Sequence, residues 1–302
     1  MSTPYHVAVI GLGAMGMGAA RSCLRAGLTT YGIDLSEQAR SQLQQAGAAA
    51  VMADARPLAE TLDAVLLLVV NATQVRRILL GEAGLARHLK PGTAIMVSST
   101  IAAEEASALA AELALMGLPM LDAPVSGGAI KADAGEMTVM AAGADAAFDK
   151  LAPVLDAVAG KVYRVGSEPG QGSTVKIIHQ LLAGVHIAVA AEAMALASRA
   201  GVSLDLMYDV VTHAAGNSWM FENRMPRVLA GDYQARSAVD IFVKDLTLVA
   251  DTAKALRFPL PLASTALNMF LGASNAGHGQ EDDSAVIKIF SGIQLPGQEE
   301  QA

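Results

Sequence analysis

The sequence predicts an α/β protein in which a mostly parallel sheet flanked by helices is followed by an all-α domain opened by one long helix. Three observations carry that expectation. Short β-rich runs alternate with helical patterns through the first half. These runs are apolar throughout, as in Val65-Leu66-Leu67-Leu68-Val69-Val70, and strand-like runs stop after about Gly166. Alternation of this kind calls for crossover helices, and a strand with no polar face is one buried on both sides. The 302 residues exceed what a single core usually holds. The expected division is into residues 1–166 and 167–302.

In order, strands are expected at residues 7–10, 29–34, 64–70, 93–98, 120–123 and 138–142. A helical pattern covers residues 17–26. The connector Gly166-Ser167-Glu168-Pro169-Gly170-Gln171-Gly172 is rich in turn formers, and Ser173 or Thr174 is the expected cap of the long helix that follows. Residues 181–200 are apolar enough to raise a membrane question, but His186, Glu192 and Ser198 interrupt them. A helix buried between domains or subunits is expected, and with it a homodimer or homotetramer. A last helical pattern runs over residues 240–256, and the polar tail from Pro296 is expected to fray.

Composition narrows the function classes. With 53% hydrophobic and 17% charged residues, the chain belongs among folded globular proteins. A net charge of -8 without any basic run excludes a nucleic-acid binder, which needs clustered Lys and Arg. A single cysteine and six histidines give neither a disulfide framework nor zinc-ligand spacing, so no metal is expected and the cytoplasm is the expected compartment. Cys23 reads as helix packing. The strand that opens the chain runs straight into a glycine loop, unlike a cleavable leader.

That loop, Gly11-Leu12-Gly13-Ala14-Met15-Gly16, follows an apolar strand and precedes a helix, the context in which a G-x-G-x-x-G pattern binds a dinucleotide. Gly11 permits the tight turn, Gly13 lets the backbone approach a pyrophosphate, and Gly16 allows close packing. Unpaired amides at the helix start would hold the phosphates. The second strand ends on Asp34, 18 residues after Gly16, where a carboxylate can accept the adenosine ribose hydroxyls and repel a 2′-phosphate. With Leu35 next and no arginine immediately following, the cofactor expected in this Rossmann-like domain is NAD.

Three further segments stand out: Asp122-Ala123-Pro124-Val125-Ser126-Gly127-Gly128, Gly170-Gln171-Gly172-Ser173-Thr174-Val175-Lys176, and Lys244-Asp245-Leu246. Together with the glycine loop they resemble the β-hydroxyacid dehydrogenase family, which includes 3-hydroxyisobutyrate dehydrogenase and tartronate semialdehyde reductase, over nearly the whole chain. The resemblance implies that Ser126, Gly127 and Gly128 grip the carboxylate of a small hydroxyacid. It also implies that Lys176 is the catalytic acid/base and that Lys244 reaches toward the nicotinamide end of the cofactor. Lys176 is expected in the first helical turn, where the positive helix end disfavours its ammonium form. Asn71 and Thr100, at strand ends, are expected to touch the cofactor.

One departure points to the substrate. The family commonly has asparagine shortly after the lysine, whereas this chain has His179, three residues on and on the same helical face. With Gly216-Asn217-Ser218-Trp219, it resembles the branch that oxidises C2 of four-carbon sugar acids such as L-threonate, and Asn217 is expected beside the substrate. Alternatives stay open. His179 could be a core histidine, Lys244 a mere neighbour of Asp245, and residues 216–219 a helix-ending turn with a packed tryptophan. The substrate could be 3-hydroxyisobutyrate, glycerate or tartronate semialdehyde, and the chain could be a non-catalytic NAD sensor. An imine reductase is disfavoured by Lys176.

Overall fold

Alternate residues of the first strand enter two different cores, which is why its sequence shows no polar face. Val7 and Val9 pack in one buried cluster with Leu66 and Met96, while Ala8 and Ile10 pack in another with Val65, Leu67, Ile95 and Val97. The computed structural model describes residues 4–296, and the chain divides into two compact units, one ending at Lys176 and the other starting at Ile177. The expected frayed tail beyond Pro296 lies outside the described residues.

In chain order the first unit runs β1 (His6–Ile10), α1 (Ala14–Arg25), β2 (Thr29–Ile33), α2 (Glu37–Gln45), β3 (Ala50–Met52), β4 (Ala64–Leu67), α3 (Ala72–Leu80) and β5 (Ala94–Val97). It continues with α4 (Ala103–Ala114), β6 (Met120–Asp122), β7 (Val125–Ser126), α5 (Gly128–Ala134), β8 (Met137–Ala142), α6 (Asp145–Val158) and β9 (Ala159–Gly166). Strands β3-β2-β1-β4-β5-β6 lie side by side and parallel. The order reverses between β1 and β4, so their C-terminal ends open a crevice of the kind that holds ligands in open α/β sheets. Beyond β6 the sheet turns antiparallel: β8 pairs with both β6 and β7, and β9 runs parallel to β8.

Several boundaries differ from expectation for local reasons. The apolar run at 64–70 leaves the sheet after Leu67: the Leu68 amide makes the last bond to β1, at the Ile10 carbonyl, and the Val70 amide is already taken by the Gln74 side chain. Three strands were not foreseen. β3 is only three half-buried residues, and β7 is a two-residue continuation of β6 beyond Pro124. β9 is an edge strand whose exposed Lys161 and Arg164 hide the apolar signal, in the way edge strands avoid further pairing.

The long helix α7 (Gln171–Arg199) begins in the first unit and continues through the second. It does not start at a Ser173 or Thr174 cap. Both lie inside it, the Ser173 hydroxyl donating to Asp122 and the Thr174 hydroxyl to the Gly170 carbonyl. Lys176 therefore sits in the second turn rather than the first. By length and composition α7 could cross a membrane, but half of its apolar window is buried in the protein.

The second unit adds α8 (Leu204–Thr212), α9 (Trp219–Ala230), α10 (Val239–Ala255), α11 (Pro261–Ala273) and a final 3-10 segment, Asp283–Ile289. Its core gathers Ile187, Ala191 and Met194 of α7 with Met225, Phe242, Leu246, Phe270 and Ile287. Two ion pairs are buried beneath it. Arg224 grips Asp283 through two hydrogen bonds of 2.6 and 3.0 Å, and Arg227 donates to Asp282. Burial pushes the Asp283 carboxyl above its usual range against the pull of Arg224. Removing one member of such a pair costs about 3–5 kcal/mol, because the partner charge stays buried.

Candidate active site

The glycine loop sits at the mouth of the β1/β4 crevice. Gly11 has φ +92°, and a Cβ there would lie 2.8 Å from the Leu68 carbonyl oxygen, so the loop after β1 leans on the segment after β4. A Cβ on Gly16 would collide with the Gly11 carbonyl at 1.7 Å, whereas one on Gly13 would meet nothing within 4 Å. Gly13 is also the N-cap of α1 and supplies no side-chain acceptor to that helix end. Open space above Gly13 and uncapped amides are what a pyrophosphate requires. The Asp34 carboxylate is fixed by the amides of Leu12 and Ser36, both at 2.7 Å, which joins the acid to the loop. Leu35 is exposed. Arg40, six residues past Asp34, donates to the carbonyls of Asp34 and Leu35 at 2.7 and 3.0 Å.

Asn71 and Thr100 do not end strands, since β4 and β5 stop at Leu67 and Val97. The Asn71 side chain instead accepts from the Gln74 amide and caps α3. Just before Thr100, the hydroxyls of Ser98 and Ser99 are buried without a hydrogen-bond partner among the described residues. Both follow the C-terminal end of β5, where open α/β sheets present groups to ligands. Sequence reasoning missed them, although the run Ser98-Ser99-Thr100 was the available signal.

Ser126 closes β7, Gly127 caps α5 at φ +133° and Gly128 is the first residue of α5 at φ +72°. Helix α5 is tied to α1. A Cβ on Gly18 would lie 2.5 Å from the Asp133 amide, and the Ser22 hydroxyl donates to the Ala132 carbonyl at 3.0 Å. The dinucleotide helix and the Ser126-Gly127-Gly128 turn thus share one packed base.

Asp122, at the end of β6, has the most consequential role that sequence reasoning overlooked. Its fully buried carboxylate accepts from the Gly170 and Ser173 amides, both at 2.8 Å, and from the Ser173 hydroxyl at 2.7 Å. Burial raises its pKa and these hydrogen bonds oppose the rise. Gly172 passes so close that a Cβ would lie 2.4 Å from the Asp122 carbonyl oxygen. The Gly170-x-Gly172-Ser173 signature is therefore a clasp between the sheet and the first turn of α7, and Lys176, 6% exposed, follows one turn later.

In the second unit, His179 Nδ1 lies 3.0 Å from Gln180 Oε1, and Gln180 Nε2 donates to Asp245 Oδ2 at 2.6 Å. Lys244 Nζ stands 2.5 Å from Asp245 Oδ1. His179 and Lys244 are thus linked through two buried side chains that the sequence did not single out for this purpose. Asn217 has different partners: its Nδ2 donates to Glu222 at 2.5 Å, while its Oδ1 is a buried acceptor with no partner among the described residues. The reading of 216–219 as a helix-ending turn with a packed tryptophan is half right: a turn over 213–216 follows the end of α8 at Thr212, but the tryptophan is not packed. Ser218 starts α9 by accepting from the Phe221 amide, and Trp219 is half exposed. No group of three His, Cys, Asp or Glu that could hold a metal occurs among the described residues.

Residues 6–166 match the family described as the NAD binding domain of 6-phosphogluconate dehydrogenase, and residues 170–290 that described as the NAD-binding domain of NADP-dependent 3-hydroxyisobutyrate dehydrogenase. L-threonate dehydrogenase from Escherichia coli O6:H1 is 73% identical over 97% of both chains. The chain belongs to the β-hydroxyacid dehydrogenase family. Another relative, L-threonate dehydrogenase from Cupriavidus necator, is 56% identical over 98% of this chain and 99% of that one. The crystal structure of a 3-hydroxyisobutyrate dehydrogenase from Salmonella typhimurium superposes with TM-score 0.92 at 70% identity, covering 95% of this chain and all of the other. This β-hydroxyacid dehydrogenase is an NAD-dependent oxidoreductase acting on a small hydroxyacid, and its Rossmann-like sheet and helical second half are those of the family.

Proposed function

We propose that this β-hydroxyacid dehydrogenase oxidises the C2 hydroxyl of a four-carbon sugar acid, L-threonate, to the 2-oxo acid. The observation that carries the substrate is that five relatives, 56 to 73% identical over nearly their full length, are L-threonate dehydrogenases. The orphaned acceptor of Asn217 and the polar His179 suit a substrate rich in hydroxyls. A second reading, a simpler acid such as 3-hydroxyisobutyrate, glycerate or tartronate semialdehyde, draws support from the name of the Salmonella typhimurium structure.

Gly11 to Gly16, with Asp34, Leu35, Asn71, Thr100 and Lys244, would hold NAD, which supplies the hydride acceptor. Ser126, Gly127 and Gly128 would orient the substrate carboxylate. Lys176 would take the C2 hydroxyl proton during oxidation and return it during reduction. Its burial and its fixed place after the Asp122 clasp suit a proton-transfer group. Residues 1–166 would form the NAD domain and residues 167–302 the substrate and oligomerisation domain.

The exposed side chains of Val175, Leu182, Val189 and Leu196 repeat every seven residues along α7, the spacing of a helix seam. A second copy of the chain is its proposed cover, in a homodimer or homotetramer. A cytoplasmic enzyme with no nucleic-acid or membrane partner fits the acidic charge and the lone buried cysteine.

The test is purified protein with NAD and a panel of hydroxyacids, following nicotinamide absorbance. Turnover of L-threonate well above 3-hydroxyisobutyrate and glycerate is expected, and no turnover of any four-carbon aldonate refutes the substrate. Lys176→Ala is expected to lower turnover by at least about 100-fold while NAD affinity stays nearly unchanged. Unchanged turnover in Lys176→Ala refutes the assigned role, and a catalytically silent wild type that still binds NAD is the sensor.

A further inference from the structure

We propose that Arg40 is a second determinant of cofactor choice: its guanidinium is placed to receive the 2′-phosphate of NADP, so that the Asp34 carboxylate alone keeps that cofactor out. Asp34 follows β2, and its two oxygens accept from the Leu12 and Ser36 amides, both at 2.7 Å. Both donors are neutral, so they hold the acid without cancelling its charge. A ribose 2′-hydroxyl donates to such a carboxylate, whereas a 2′-phosphate monoester brings acceptors and a charge of about -1.5 to -2 at neutral pH.

The opposite charge stands close by. Arg40 belongs to α2, and its Nη1 reaches back over the entry to that helix, donating to the carbonyls of Asp34 and Leu35 at 2.7 and 3.0 Å. These two carbonyls use both hydrogens of Nη1. Nε and Nη2 keep their donors in the same plane, and no described residue accepts from them. That edge has the geometry a phosphate takes from a guanidinium. The anchor is backbone rather than the Asp34 side chain, so the cation stays in place when the acid is replaced. Ser36 adds to the same surface, since its hydroxyl accepts from the Ala39 amide at 3.2 Å and keeps its own hydrogen to donate. Leu35 and Ser36 are both exposed, which leaves this surface open. The six-residue gap from Asp34 to Arg40 conceals the contact in the sequence, because a side chain on the helix folds back over the turn that leads into it. The inference rests on the reading of Asp34 as the ribose acceptor and not on the identity of the hydroxyacid.

The experiment reads binding on the full chain: displacement of bound NADH by NAD and by NADP, followed by nicotinamide fluorescence, which also registers weak competitors. The quantity compared is the ratio of NADP to NAD affinity, in which general damage to the fold or to the adenosine site cancels. In wild type NADP is expected to bind at least about ten-fold more weakly than NAD. Asp34→Asn keeps an oxygen for the Leu12 amide and drops the charge, and it is expected to raise the ratio at least about ten-fold. Arg40→Ala added to Asp34→Asn is expected to remove most of that gain.

Arg40→Ala alone is expected to lower the ratio at least about three-fold, a comparison that requires no Asp34 variant to fold. A ratio that Arg40→Ala leaves unchanged in either background overturns the proposal and reduces Arg40 to a clamp on the turn after β2. A ratio that Asp34→Asn leaves unchanged overturns the ribose reading of Asp34 and the proposal with it. The choice of hydroxyacid is untouched by either result, since turnover with NAD decides it separately.

Discussion

Replacing Asp122 tests whether the clasp at the start of α7 holds the catalytic end of that helix. In Asp122→Ala the amides of Gly170 and Ser173 lose their acceptor, and Ser173 is 1% exposed. An unsatisfied buried donor costs about 1–3 kcal/mol. The Ser173 hydroxyl can rotate toward another carbonyl, and the desolvation of the carboxylate is relieved, which offsets part of the loss. A net destabilisation of roughly 2–4 kcal/mol follows, or a fall in melting temperature of roughly 5–12 °C.

Asp122→Asn separates shape from charge, because an amide oxygen can take both backbone N–H groups while its NH2 donates to the Ser173 hydroxyl. Asn is expected to stay within about 1 kcal/mol of wild type. Lys176 lies one turn past the clasp, so Ala is expected to lower kcat by about 100-fold, the scale of a 1 Å misplacement, while NAD affinity holds. Burial raises the folded pKa of Asp122 above its unfolded value. The folded state therefore retains a proton that the unfolded chain has lost, and this group's contribution to stability falls as pH rises through that window. Asn lacks the effect, so its stability relative to wild type is expected to improve as pH rises above the ordinary aspartate range near about 4, read by urea unfolding and scanning calorimetry. Equal losses in Ala and Asn, or an unchanged melting temperature in Ala, refute the clasp.

Gly13→Ala is expected to keep its melting temperature, since a Cβ there meets nothing, yet to bind NAD at least about ten-fold more weakly by calorimetric titration. Gly16→Ala is expected to lose stability first, because its Cβ overlaps the Gly11 carbonyl. Cys23 is fully buried and burial pushes its thiol up to about 12, so iodoacetamide at pH about 8 is expected to label the protein only in denaturant. Leu182→Lys with Val189→Glu is expected to convert the assembly to monomer in sedimentation velocity, and an unchanged mass argues for a different interface.

The central parallel strands were legible because burial on both faces leaves an unbroken apolar run, as in Val65 to Leu67, and the glycine loop was legible because backbone geometry admits few residues. Local patterns carry local constraints. Edge strand β9 was hidden by Lys161 and Arg164, whose exposure removes the hydrophobic signal, and β7 by its length. Asp122 stood inside a recognised motif, but its work is done on residues 48 and 51 positions away, a pairing that no periodicity reveals. Gln180 and Asp245 are 65 positions apart and were hidden in the same way. Ser173 resembled a cap by type and position, and the buried acid claimed its hydroxyl instead.

The two buried arginines of α9 bear on how the protein is made. Their acids, Asp282 and Asp283, lie close to the end of the described chain, so a ribosome delivers the cations well before the anions that neutralise them. Until then α9 cannot bury its inner face without stranding two guanidinium groups. The sheet, complete by Gly166, faces no such delay. A message truncated just before Asp282 would yield a folded sheet attached to helices that cannot close, a natural substrate for proteolysis.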